Sequence, residues 1–273
     1  MTPLEPYQIR AIATLARREA GLHLPPSKAA FIAARVQRRL RESGSRDVDE
    51  YISLAGRADS AGAAERVRLV SALTTNVTST FREPHHFDLL GRWLSAEGRQ
   101  MAVPGCPIWI WSAGCSTGEE PLSIAATCRR VIGARWTRSI RILGTDVDEE
   151  VLARARHRNR DDKLLASLAN DMRGSVPDCT DLGNLANDLQ AGIQFAVHNL
   201  LTPPPGERKY HVIFCRNVTI YFAPEIQAQV HASLIGRLAT GGLLFLGHSE
   251  RPLLPTVGLT RIGVTSYRKN GPS

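Results

Sequence analysis

An α/β architecture, with a mostly parallel sheet preceded by a small all-α domain, is what this 273-residue chain predicts, and three observations carry the reading. The opening 75 or so residues contain no convincing strand: YQIRAIATLARREAG, SKAAFIAARVQRRLRE, VDEYISLAG and AAERVRLVSALTT space their apolar residues at helical intervals and are separated by Gly or Pro breaks. The stretch PIWIWSAGCSTGEEPLSIA begins with alternating Trp and Ile, breaks at Gly114 and resumes after Gly118 with helical spacing, so it reads as strand, glycine turn, helix. Finally, SIRILGTD and YHVIFCRN are apolar strands that end in polar residues, and open parallel sheets bind ligands outside the carboxyl ends of their strands.

Glycines in the turn let the backbone come close to a bound molecule, and the helix start supplies unpaired N–H groups. Glu119 and Glu120 lie in the first turn of that helix, where carboxylates suit the helix dipole but would repel a pyrophosphate. A nucleoside that carries a cation fits better than a dinucleotide. Asp146 ends the next strand 27 residues after Glu119, near the spacing at which a doubly wound fold carries its ribose-binding acid.

Composition sets the bounds. With 43% hydrophobic and 22% charged residues the chain can bury a substantial core. No run reaches the ~18 apolar residues of a membrane span and no apolar leader follows a basic start, so a cytoplasmic protein without membrane insertion is expected. The five cysteines are odd in number and lack CxxC spacing, which argues against a disulfide framework and a zinc site. A formal charge of +8 and a pI near 9.7 point to an acidic partner, nucleic acid or protein. Lys28, Arg35, Arg38 and Arg39 recur at helical spacing while Ile32, Val36 and Leu40 line another face, so that helix reads as basic on one side and packed on the other.

Along the chain, TTNVTSTFREPHHF (Thr74 to Phe87) links the helical region to a helix over Asp88 to Ala96, with the domain boundary between Phe87 and Gly91. Within it Arg82, beside Asn76 and Thr78, could clamp a carboxylate bidentately. From Asn159 to Asp188 the chain is polar, with neither strand alternation nor a clean helical face. IQFAVHNL then ends a strand at Asn199, and YHVIFCRN ends at Arg216 and Asn217, with Tyr221 one helical turn later. Pro224 and Glu225 suit a helix start, running to about Ala239 and stopped by Gly241 and Gly242; LLFLG is a strand, and GLTRIGVTSYRKN a last, antiparallel one.

Four separated motifs in order, TTNVTSTFREPHHF, SAGCSTGEEP, VIFCRNVTIYF and GGLLFLGHSE, resemble those of the CheR family of S-adenosyl-L-methionine-dependent chemotaxis receptor methyltransferases. The resemblance implies a Rossmann-like class I methyltransferase domain over residues 88–273, with a divergent insertion around 159–188, behind a helical domain over 1–87. It implies cofactor contacts at Asn76, Thr78, Arg82, Gly114, Gly118, Glu119, Asp146, Asn199, Leu200, Arg216 and Asn217, with S-adenosyl-L-homocysteine as product. It implies Arg82 and Tyr221 as the residues facing the substrate, and Lys28, Arg35, Arg38 and Arg39 as the face that holds the acidic helices of a chemoreceptor. Thr80, where the family usually has an aromatic, and Ala223, where relatives often carry an acid, depart from the pattern. The missing strand pattern in 159–188 argues that the receptor is engaged through the helical domain rather than by its tail.

The implied reaction is methylation of receptor glutamates. A glutamate is already ionised at neutral pH and needs no general base, so His85 and His86 are read as structural and the absence of a Ser/His/Asp or Cys/His constellation is consistent. Two other classes compete: a basic methyltransferase acting on RNA or a small molecule, and a non-catalytic module that binds the cofactor or its product and signals by docking. TPPPG differs from the NPPY motif of amino-methylating DNA enzymes in lacking the aromatic and in preceding the fourth strand, and nucleic acid is not the expected partner. A monomer is expected.

Overall fold

In the computed structural model of this chain, residues 4–74, 76–101, 106–157, 168, 182–252 and 258–271 are described. The alternation of Ile and Trp in β1 (Ile108–Ala113) defines the two sides of the molecule, because successive strand residues point to opposite faces. Ile108 and Ile110 enter one apolar core, and Trp111 and Ala113 the other. β4 (Tyr210–Cys215) repeats the division, with Val212 and Phe214 on the first side and Ile213 and Cys215 on the second. Side chains buried as completely as Trp111, Phe214 or Ile110 each contribute about 1.5–3 kcal/mol.

Among the described residues the sheet has seven strands in the order β3-β2-β1-β4-β5-β7-β6, formed with β2 (Ile140–Asp146), β3 (Ile193–Val197), β5 (Leu238–Leu246), β6 (Leu259–Gly263) and β7 (Ser266–Lys269). β1 to β5 pair in parallel, and β7 is antiparallel to both β5 and β6. The final segment is therefore a hairpin rather than one strand, turning at Val264 and Thr265, with Thr265 at φ 47°. The switch point lies between β1 and β4, where strand order reverses, and it is here that ligands of such sheets bind.

The first core is covered by α5 (His85–Trp93), α6 (Glu119–Ile132) and α8 (Leu182–Ala191). The second is covered by α9 (Pro224–Arg237) and by the N-terminal helices α1 (Pro6–Ala20), α2 (Ala29–Ser43), α3 (Val48–Gly56) and α4 (Ser60–Leu73). Caps fix their starts: Glu5 and Gln8 form a capping box on α1, Asp47 accepts from Glu50 N–H and Asp59 from Gly62 N–H. Asp148 likewise caps α7 (Glu149–Arg156).

Several boundaries differ from the sequence reading. α5 begins at His85 rather than Asp88, its entry set by Glu83 at φ 58°, and passes at Leu94 into a π-helical turn. α9 stops at Arg237, and Gly241 and Gly242 lie inside β5, at a register shift against β4. Gly241 has φ 74°, so the pair marks a bulge, not a helix stop. Most of 159–188 lies outside the described residues, but Leu182 to Asp188 belong to α8, whose Leu185, Ala186 and Leu189 are buried. Leu185 and Ala186 fall inside the stretch read as patternless and Leu189 just beyond it, so the end of that stretch does carry a helical face.

The basic helix is corrected at one position. Arg39 is 8% exposed and forks onto Glu65, with Nη2 2.8 Å and 2.9 Å from its two carboxylate oxygens, where Tyr51 also donates. It cross-links α2, α3 and α4 and is not on a partner-facing surface. Arg38 is exposed and pairs with Glu42 one turn on, Arg35 is half-buried, and Lys28 lies over the Tyr221 ring, facing the sheet-bearing half of the molecule. Helical spacing alone grouped Arg39 with the stripe because the acid that buries it is 26 residues away.

Candidate active site

A cleft of about 930 Å³, part of it open solvent, lies over the carboxyl ends of β1, β2, β3 and β4 and is bounded by Thr74, Asn76, Val77, Thr78, Ser79 and Arg82 and by Ala20 and Leu22 at the α1–α2 connection. Its floor is the turn after β1. Gly114 has φ 83°, and a Cβ there would come within 2.4 Å of Val218 Cγ2; any side chain would push the turn off the β4 loop. Gly118, at φ 93°, starts α6 and packs against Ala155, so the glycine serves helix packing behind the cleft.

Asp146 stands at the end of β2 on the cleft wall. Its Oδ2 accepts from Ser116 N–H (2.8 Å) and its Oδ1 from Asp148 N–H (3.0 Å), so the carboxylate is fixed before any ligand arrives. Burial nevertheless raises its pKa, outweighing those backbone hydrogen bonds.

Arg216 is the hub. Its side chain is 2% exposed, donates to Glu120 Oε2 at 2.9 Å, approaches Glu83 Oε2 at 3.5 Å, donates to the Arg82 carbonyl oxygen and lies over the Phe87 ring. It thereby ties β4 to α6 and to residues 82–87. Glu120 also accepts from Ser112 Oγ at 2.7 Å. Burial raises the pKa of Glu120 against the pull of Arg216, whereas at Glu83 the Arg216 charge and the His248 N–H overcome burial and hold the carboxyl below its usual range.

Ten of the twelve residues singled out from the sequence line this cleft: Asn76, Thr78, Arg82, Gly114, Asp146, Asn199, Leu200, Arg216, Asn217 and Tyr221. Gly118 and Glu119 do not. Glu119 is 4% exposed and accepts from the Thr117 hydroxyl at 2.7 Å, while its neighbour Glu120 faces the cleft. Consecutive helical residues point about 100° apart, and two adjacent glutamates give no signal of which is turned inward. Asn199 lies two residues beyond the end of β3 and donates to the Glu19 carbonyl oxygen at 2.8 Å. Arg82 is half-buried and donates to the Val77 carbonyl oxygen at 3.2 Å.

Two further residues escaped the sequence reading. His198 lines the cleft beside Asn199, and its Nε2, like Asn217 Nδ2, is buried without a hydrogen-bond partner. Glu250 holds the β4 loop in shape. Its carboxylate accepts from the backbone N–H of Asn217 (2.7 Å), Val218 (3.1 Å), Thr219 (2.7 Å), Ile220 (3.2 Å) and Gly247 (2.6 Å), and from the Thr219 hydroxyl (2.7 Å). Glu250 belongs to the GHSE motif, yet a carboxylate held by loop amides and one hydroxyl has no charged partner residue to find in the sequence.

A switch-point cleft with a glycine turn, a fixed acid at the end of β2 and polar atoms on its wall defines a nucleoside-binding α/β enzyme of the methyltransferase class. Comparison with protein families and with sequence relatives agrees. Family models match residues 8–74, described as the CheR methyltransferase all-alpha domain, and 76–257, described as the CheR methyltransferase SAM binding domain. The chain is 35% identical over 256 residues to a probable chemotaxis protein methyltransferase of Rhizobium etli, covering 92% of this chain and 95% of that protein. It is 36% identical over 262 residues to the chemotaxis protein methyltransferase of Escherichia coli, covering 90% and 85%. Among solved structures, magnesium protoporphyrin IX methyltransferase from Synechocystis with bound SAM covers 86% of this chain and 97% of its own at a TM-score of 0.41 and 15% identity. The chain belongs to the CheR methyltransferase family, and its cofactor is S-adenosyl-L-methionine. The two family models meet between residues 74 and 76, at the end of α4, whereas the sequence reading drew the boundary at 87.

Proposed function

We propose that this protein transfers the methyl group of S-adenosyl-L-methionine to side-chain carboxylates of glutamates in chemoreceptors, acting as a protein-glutamate O-methyltransferase. The observation that carries the reading is that Arg82 and Tyr221 line the same cleft as Asp146 and Asn199. An arginine and a phenol are the groups that orient a carboxylate, and an aspartate and an asparagine those that hold a nucleoside.

When bound, the cofactor supplies a methyl group on a positively charged sulfur. A glutamate carboxylate is ionised at neutral pH, so this chain has no proton to remove from it. Its residues bind, orient and keep water out. Asp146 accepts from ribose hydroxyls, and Asn199, Leu200 and His198 contact the nucleoside. Gly114 and Gly118 shape the turn, with Glu120, rather than Glu119, as the acid of α6 that faces the ligand. Asn76, Thr78 and Asn217 line the path between cofactor and substrate, while Arg82 and Tyr221 hold the incoming carboxylate. Orientation of this kind supplies roughly 7–11 kcal/mol of barrier reduction in favourable systems.

The partner is the acidic helical surface of a chemoreceptor, met by Lys28, Arg35 and Arg38 on the helical domain. The test is incubation of the protein with labelled cofactor and either a receptor cytoplasmic fragment or total RNA. Base-labile label in the receptor, lost in Arg82→Ala, is expected; label in RNA, or none in receptor, overturns the reading.

A further inference from the structure

Glu83, His85 and His86 stand together at the head of α5, and among the described residues they form a group whose ligand-type atoms all lie within 4.8 Å of one another. His86 is fully buried, and its Nε2 lies 3.2 Å from the Val264 carbonyl oxygen and 3.1 Å from Thr265 Oγ1. A carbonyl oxygen only accepts, so Nε2 carries the ring proton and Nδ1 presents a lone pair. That Nδ1 has no hydrogen-bond partner and faces Glu83 Oε2, itself a buried acceptor without one, at 3.7 Å. Two buried lone pairs facing each other are unfavourable unless something positive lies between them.

Arg216 Nη2 stands to one side, 3.5 Å from the same Glu83 oxygen.

We infer that Glu83, His85 and His86 bind a divalent transition-metal ion of the zinc type. Zinc takes imidazole nitrogen and carboxylate oxygen at about 2.0–2.2 Å, which spans the gap between Nδ1 and Oε2. One carboxylate and two neutral imidazoles are a donor set zinc accepts. His85 is exposed and gives the ion its way in, and His248, with Nδ1 3.5 Å from Glu83 Oε1, borders the open side. An ion here competes with Arg216 for Glu83. Since Arg216 also holds Glu120 on the cleft wall, metal binding lowers methyl transfer; this consequence rests on the proposed function, whereas the site itself does not.

The whole chain is titrated with zinc by calorimetry, with cobalt as an optical probe. One ion per chain is expected, with affinity at least about tenfold weaker in His85→Ala at an unchanged melting temperature. No uptake by the wild type would mean that a water bridges the two lone pairs and overturns the site. So would equal affinity in His85→Ala, or a thiolate charge-transfer band assigning the ion to the exposed Cys106. In the receptor assay, zinc should inhibit the wild type and spare His85→Ala; equal inhibition overturns the competition with Arg216, and the metal site then stands or falls on the calorimetry.

Discussion

Lys28 Nζ lies 5.5 Å from the centroid of the Tyr221 ring, so the first residue of the basic stripe touches the phenol proposed to face the substrate. A contact of this kind is worth about 0.5–1 kcal/mol at a partly exposed site. Lys28→Met should therefore lower kcat/KM for receptor about two- to fivefold and leave calorimetric affinity for S-adenosyl-L-homocysteine unchanged. Full activity would show that Lys28 acts only as a surface charge.

Asp146→Ala removes an acid that Ser116 and Asp148 have already fixed. Hydrogen bonds to a charged group contribute about 1.5–3 kcal/mol, so affinity for S-adenosyl-L-homocysteine should fall roughly ten- to a hundredfold. Unchanged affinity by calorimetry removes Asp146 from the cofactor site.

The same acid gives a pH dependence. Its folded pKa lies above that of an unfolded aspartate, so between those two values the folded chain holds more protons at Asp146 than the unfolded one. Its contribution to stability is full below the unfolded value and is lost as pH rises through the folded one. Cofactor affinity runs the other way, rising as the carboxylate ionises. Product affinity measured from pH 4 upward should climb over a range displaced above that of a free aspartate, and this climb should vanish in Asp146→Asn.

Arg216→Met leaves Glu120 and Glu83 without their shared cation. Stranding a buried charge costs about 3–5 kcal/mol, and urea denaturation should register a loss of that order. Lysine in its place should recover only part, because it cannot reach both acids and the Arg82 carbonyl from one fork.

Glu250→Gln keeps the shape and reverses part of the hydrogen bonding, since an amide NH₂ group confronts backbone N–H donors. A loss of about 2–4 kcal/mol in stability is expected, with faster hydrogen exchange at residues 217–220. Unchanged exchange there would mean that the β4 loop holds its form without the carboxylate.

The parts of this protein that follow from local pattern were legible in the sequence. Alternating Trp and Ile announced β1, Gly114 and Gly118 the turn, and the polar ends of β2 and β4 the side on which a ligand binds. What depends on contacts distant in sequence was not. Arg39 looked like its exposed neighbours until Glu65 and Tyr51 closed on it, and Glu119 could not be told from Glu120 because the choice is a rotation of α6 set by packing. Glu250 was hidden because its partners are backbone amides, which have no sequence signature. The hairpin of β6 and β7 was read as one strand because its turn at Val264 and Thr265 lacks a glycine or proline of its own.

The helical domain meets the cleft edge to edge: Leu22 bridges to Phe222, His23 N–H donates to the Tyr221 carbonyl oxygen at 2.7 Å, and Asn199 reaches the Glu19 carbonyl oxygen. Anyone wishing to retarget the protein by grafting the helices of a relative onto this catalytic half would thus be rebuilding one rim of the cleft as well. A chimera that matches the donor's basic stripe but misaligns the chain at Glu19, Leu22 and His23 would move Tyr221 with it. The seam, rather than the charges, is where such an exchange has to be designed first.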